Sequence, residues 1–134
     1  MQDTIWNAGQ VDALDRFILP RYVRHTHRGN VLTASALKGT IRTTRQAFPD
    51  LQTTVESIVD EAGLVAFRWR AEGTHLGTFL EVPATGKTVQ VQGMSFLQFD
   101  AELIREDWVT WDLYDMLSGL GVIPIGGGHR QPVL

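Results

Sequence analysis

The stretch QTTVESIVDEAGLVAFRWRAE, residues 52–72, decides the fold. Val55, Ser57 and Val59 alternate there with Thr54, Glu56 and Ile58. Glu61-Ala62-Gly63 makes a turn, after which Val65, Phe67 and Trp69 alternate with Ala66, Arg68 and Arg70. A period of two turns successive side chains to opposite faces, so the stretch predicts an antiparallel hairpin with one apolar face. Upstream the period is helical: Val11, Leu14, Phe17 and Ile18 predict a short amphipathic helix stopped before Pro20. A strand-like segment from Tyr22 to His27 follows, then a second helix carrying Leu37, Ile41, Ala47 and Phe48, ended by Pro49.

Downstream, strands over about 77–82 and 87–99 flank the turn Pro83-Ala84-Thr85-Gly86, and Gly93 within the longer one predicts a bulge or bend. A last strand covers about 103–111. Asp112 then N-caps a short helix carrying Leu113, Met116, Leu117 and Leu120, which Gly121 stops. Helices first and antiparallel strands afterwards imply an α+β fold, a single domain over residues 1–121 whose curved sheet wraps the helices. The tail, residues 122–134 with Gly126-Gly127-Gly128, has no periodicity and is expected to be extended or disordered.

A chain of 134 residues with 43% hydrophobic residues suits one domain with a real core. The net charge of −3 and the lack of a long Lys/Arg run argue against nucleic acid as the main partner. The one basic patch, Arg21, Arg24, His25, His27 and Arg28, is short and reads as a strand edge or pocket rim. With no cysteine there is no disulfide framework, thiolate nucleophile or Cys-based metal site. His25-x-His27 lacks a third ligand at interpretable spacing, so no metal is expected. No stretch approaches the roughly 20 apolar residues that cross a bilayer, and no basic segment leads into an apolar run at the N-terminus. The expected protein is soluble and cytoplasmic, with no membrane partner.

One ordered set of short motifs runs along nearly the whole chain. It comprises Trp6-Asn7-Ala8-Gly9, Tyr22-Val23-Arg24-His25, Phe48-Pro49-Asp50-Leu51, Arg68-Trp69 and Gly73-Thr74-His75-Leu76-Gly77. It continues with Pro83-Ala84-Thr85-Gly86-Lys87, Glu106-Asp107-Trp108, Trp111-Asp112 and Leu117-Ser118-Gly119-Leu120-Gly121. In order and spacing the set resembles the SnoaL-like polyketide cyclases, also called ester cyclases. The resemblance implies an NTF2-like cone-shaped α+β barrel with a deep apolar pocket and a homodimer formed through the outer sheet face. It also implies a first helix that is abbreviated at Met1. For function it implies acid–base chemistry on a small hydrophobic molecule, namely an intramolecular aldol closure of a polyketide ester that needs neither metal nor organic cofactor.

Such chemistry requires a carboxylate in a dry pocket and donors for an enolate. Asp112 matches the aspartate that follows the Glu-x-Trp strand of the family, although an N-cap role accounts for it equally well. Asp107 is the second candidate. Strict alternation would put Arg105, Asp107, Val109 and Trp111 on one face of the last strand and Ile104, Glu106, Trp108 and Thr110 on the other. In an ungapped alignment the cyclases' general-base aspartate falls at Val109 and its associated histidine at Ser95, so this chain has neither. His25 matches a family histidine and could be an acid, base or neutral donor. His75 could contact substrate or only brace its glycine-flanked corner. Arg68 could stabilise an enolate or lie on the outer face. Met94 and Trp111 are the aromatic-pocket candidates for substrate contact. Isomerisation or epoxide hydrolysis on the same fold, and non-catalytic binding of a small apolar ligand, are the competing expectations.

Overall fold

The computed structural model describes residues 1–26 and 29–122. The residues from 123 of the expected tail, and His27 and Arg28 of the basic patch, lie outside the described residues. A π-type helical segment, Gln2–Asn7, and a 3-10 turn, Val11–Arg16, precede strand β1 (Ile18–His25) and the short β2 (Val31–Thr33). Helix α1 (Ala34–Ala47) follows, then β3 (Gln52–Glu61), β4 (Leu64–Thr74), β5 (Thr88–Asp100), β6 (Leu103–Trp111) and α2 (Leu113–Gly119). The six strands form one sheet in the order β2-β1-β6-β5-β4-β3. The β1/β6 pair is parallel and every other pair antiparallel.

The short motifs explain how the helical segments sit on this sheet. Asn7 behaves as a piece of strand: its Oδ1 accepts from Thr53 N at 2.7 Å, and its Nδ2 donates to the Thr53 carbonyl at 3.1 Å. Gly9, at φ +72°, turns the chain immediately afterwards. A Cβ there would lie 2.8 Å from Arg45 Nε, so the glycine also lets α1 pack close. Thr33 caps α1 by accepting from Ala36 N at 3.2 Å, and Pro49 holds Phe48 out of the helix. Asp50 accepts from Thr74 N and Thr74 Oγ1, both at 2.7 Å, which ties the end of α1 to the end of β4. These amide and hydroxyl bonds hold the exposed Asp50 carboxyl below its usual pKa. At the other end of the chain, Asp112 Oδ1 accepts from Asp115 N at 2.9 Å, and Gly121 at φ +82° ends α2.

Several local expectations are corrected. The apolar residues 11–18 do not form an α-helix, because β1 already begins at Ile18. Pro20 lies inside that strand, where the register against β6 shifts between Ile18 and Val23 and no ladder donor is needed. Residues 77–82 form no strand. Phe79 and Val82 pair across Leu80 and Glu81, both at positive φ, as a two-residue turn. Gly93 is not a bulge, since β5 keeps its register through Gly93 against both Trp69 and Trp111. The irregularity lies instead between Gln98 and Phe99, opposite Arg105, which becomes the extra residue of β6.

One apolar cluster gathers Ile5, Leu14, Leu37, Ile41 and Ile104, and another gathers Phe48, Phe79, Val89, Val91, Met116 and Leu120. Both lie between the concave face of the sheet and the helices. Among the described residues no helix is long and apolar enough to cross a membrane.

Candidate active site

The bulge at Arg105 sets the site. It breaks the strict alternation expected for β6, so Ile104 and Asp107, three residues apart, are both buried, while Val109 and Trp111 continue on the inner face. On the neighbouring β1, Tyr22 and Arg24 share that face, and Arg24 is the direct register partner of Asp107. Arg24 Nε donates to Asp107 Oδ1 at 2.8 Å and Nη2 donates to Oδ2 at 3.2 Å. Tyr22 OH donates to Oδ2 at 2.5 Å. This bidentate geometry, completed by a phenol, is the arrangement in which a buried carboxylate can remain charged. Asp107 is fully buried and both of its oxygens are engaged.

The same trio fixes the protonation of Tyr22 and Arg24. Burial pushes the Tyr22 phenol up; Arg24 opposes this and Asp107 reinforces it, so Tyr22 stays a neutral donor. Burial disfavours the Arg24 charge, but Asp107 and Tyr22 outweigh that and hold the guanidinium above its ordinary pKa. Arg24 is therefore a fixed cation and Asp107 is the anchor that aims it.

Arg24 borders a cavity of about 140 Å³ between the sheet and α1. Apolar walls come from Leu37 and Phe48 on the helix side, Phe67, Trp69, Val91 and Val109 on the sheet, and Phe79, Trp111 and Met116 at the closing end. Thr26, Thr40, Thr44, Thr53 and Ser95 supply hydroxyls. Among the described residues its ionisable lining is Arg24 and Glu72, and Glu72 is exposed. Asp107 does not line it, because Arg24 stands between. No group of three His, Cys, Asp or Glu that could hold a metal occurs among the described residues.

A profile of the SnoaL-like polyketide cyclases matches residues 1–120. The chain belongs to this family. Among solved structures it is similar to IdmH, a proposed polyketide cyclase from Streptomyces antibioticus. The two are 30% identical over 90% of this chain and 94% of that one, with a TM-score of 0.80. It is also similar to AclR, a proposed hydroxylase from Streptomyces galilaeus, at 28% identity over 87% of each chain and a TM-score of 0.79. A SnoaL-like protein from Jannaschia shares the fold at 22% identity, 91% and 87% coverage and a TM-score of 0.81. Comparison with curated proteins gave no match.

Within this SnoaL-like fold, the residues singled out from sequence separate. Asp107 stands behind the cavity wall, and Trp111 lines the cavity. Asp112 is an exposed helix cap. Arg68 and Met94 are register partners on the convex face, both exposed and away from the cavity. His25 also faces outward. Its Nε2 lies 2.5 Å from Glu106 Oε2, and its ring stacks on Trp108 at 5.1 Å. His75 is buried but outside the cavity lining. Thr85 N donates to its Nδ1 at 3.2 Å, and its ring stacks on Phe48, so it braces the corner. Ser95 and Val109, where the cyclases' histidine and aspartate were expected, are register partners on the cavity floor. Sequence reasoning named Tyr22 and Arg24 only as part of a motif and, for Arg24, of a basic patch read as a strand edge or pocket rim, and gave neither a role in the site. Their signal was an arginine two residues after a tyrosine in a strand, which shares one face with it.

Proposed function

We propose that the protein is a cofactor-independent enzyme acting on a hydrophobic, carbonyl-containing metabolite, in its most concrete form closing a ring on a polyketide ester by an intramolecular aldol step. The observation that carries this reading is Arg24, a buried cation held by Asp107 and Tyr22 at the wall of an otherwise apolar cavity. A fixed positive charge in a largely apolar site stabilises an enolate far more than it stabilises a neutral ketone, which is the differential binding that catalysis requires. The acidic proton between two carbonyls passes to solvent at the open mouth of the cavity as the enolate forms beside Arg24. The enolate carbon then bonds to a second carbonyl carbon, whose oxygen takes a proton back, so the closure is net an isomerisation. Asp107 positions Arg24 rather than reaching the substrate, and Tyr22 fixes Asp107. The cavity volume accommodates one ring, so the reacting end of a larger polyketide, not its whole skeleton, would lie inside.

The test is incubation with a panel of poly-β-keto methyl esters, followed by mass and product analysis. Ring-closed isomer, or its dehydrated form, should accumulate. Arg24→Gln, checked for folding by circular dichroism, should lower kcat/KM on the order of 100-fold. Absence of turnover across the panel, or full activity of the variant, would overturn the reading. Conversion of epoxides to diols, with Arg24 binding the oxygen as the ring opens, would instead select epoxide hydrolysis on the same fold.

We also propose that the protein is a homodimer through its convex face. Phe96 and Trp108, packed edge to face at 5.7 Å, are partly exposed there beside Met94. The mass in solution tests this.

A further inference from the structure

The cavity floor carries a second polar device, independent of Arg24. A Cβ built on Gly93 would lie 2.2 Å from Trp69 Cζ2 and 2.6 Å from Cε2, where no real Cβ atom is found. The indole of Trp69 thus occupies the space that any side chain at position 93 would need. Lying there, Trp69 Nε1–H donates to Ser95 Oγ at 3.0 Å. Trp69 and Ser95 both line the cavity.

A serine hydroxyl has one proton and two lone pairs, whereas an indole N–H can only donate. Trp69 therefore takes a lone pair of Ser95 and leaves the serine proton to find an acceptor elsewhere. Among the described residues Ser95 Oγ donates to no protein group. A buried donor without an acceptor is costly, and the space open to this one is the cavity.

We infer that Ser95 is a ligand-binding donor for a carbonyl or enol oxygen of a flat apolar molecule, with Trp69 as the positioning residue that turns its hydroxyl inward. This rests on the reading of the cavity as a site for a carbonyl compound and deepens it by adding a second donor. Ser95 on β5 and Arg24 on β1 are separated by β6. Arg24 pairs with Asp107 and Ser95 with Val109, so at about 4.8 Å per strand and about 3.3 Å per residue along β6 their backbones stand roughly 12 Å apart.

The experiment uses two probes of similar size, benzoylacetone and butylbenzene, titrated into the whole protein while amide and indole N–H resonances are followed by NMR. Wild type should bind both. Ser95→Ala should weaken benzoylacetone about tenfold, the loss of one hydrogen bond, and leave butylbenzene within about twofold. Trp69→Phe keeps a ring over Gly93 but frees the serine to rotate, and should weaken benzoylacetone alone, by about threefold. Equal weakening of both probes by Ser95→Ala would reduce Ser95 to packing and overturn the inference, as would no change in either. If Ser95→Ala fails to fold, Trp69→Phe decides by the same selectivity. Wild type that binds neither probe would overturn the carbonyl-site reading itself, and this inference with it.

Discussion

Strands β1 and β6 run side by side and carry two pairings of a basic side chain with a carboxylate from adjacent positions. Arg24–Asp107 is on the concave face and His25–Glu106 on the convex face. The inner pair has side chains 9% and 0% exposed, bidentate geometry and a third partner in Tyr22. The outer pair is 30% and 28% exposed, and Glu106 has the apolar Val23 as its register neighbour on β1. The strands are common to both, and a shift of one residue separates them. What differs is water. Outside, solvent screens the pair and carries much of its charge; inside, each charge depends wholly on its partners. A charge placed to act on a bound molecule must be of the second kind.

The largest test of that contrast removes one carboxylate from each pair. Asp107→Ala leaves Arg24 buried and unpaired and should cost about 3–5 kcal/mol in urea denaturation. Glu106→Ala should cost less than about 1 kcal/mol. Comparable losses would mean that the two faces are not energetically distinct.

Adjacent residues of β5 extend the contrast from charge to packing. Gly93 faces inward beneath Trp69, and Met94 faces outward, 58% exposed. Gly93→Ala forces the indole off the floor and should cost about 3 kcal/mol, the upper end for overpacking, because the overlap is with a rigid ring and not with the end of a flexible side chain. Met94→Ala should change the monomer's stability by about 0.5 kcal/mol or less. If Gly93→Ala melts with wild type, Trp69 has another resting place, and the hydroxyl of Ser95 loses its orienting partner.

The same faces show what the sequence could reveal. Period-two patterning was enough for the pairing of β3 with β4, for the bounds of β6 and for the α+β class, but not for the faces of β3: a register shift between Val55 and Ser57 puts the two on opposite faces, and Val55, Ile58 and Val59 are all exposed. Asp112 was legible as a cap because capping is a local property. Which face of the sheet is concave was not legible: Val91 and Leu97 inside are no more apolar than Met94 and Phe96 outside, so Arg68 and Met94 could be assigned to either side. Nor was the Arg24–Asp107 pair, since its members are 83 positions apart and meet only because β1 lies parallel to β6. The bulge at Arg105 could not be read either. It leaves no compositional mark, yet it shifts the parity of everything before it on β6. Gly93 was legible as special, but a glycine in a strand signals a bend and a close approach alike, and only the ring across from it tells them apart.

The smallest test concerns the third partner that the outer pair lacks. Tyr22→Phe leaves Arg24 and Asp107 joined and removes one hydrogen bond to a charged oxygen, an expected loss of about 1.5 kcal/mol. Its pH dependence reports the buried, neutral phenol. The phenol's pKa is raised above its ordinary value of 10.0 in the folded protein, chiefly by burial, so the unfolded chain gives up that proton first. The contribution is complete below about pH 10 and is lost as the pH rises toward the folded-state value. The stability gap between wild type and Tyr22→Phe should therefore be constant from neutral pH to about 10 and shrink above it. Melting temperatures measured across the alkaline range would show this. No gap at neutral pH would mean that the tyrosine contributes ring packing alone, since phenylalanine keeps the ring, and that Asp107 is held by Arg24 without its help.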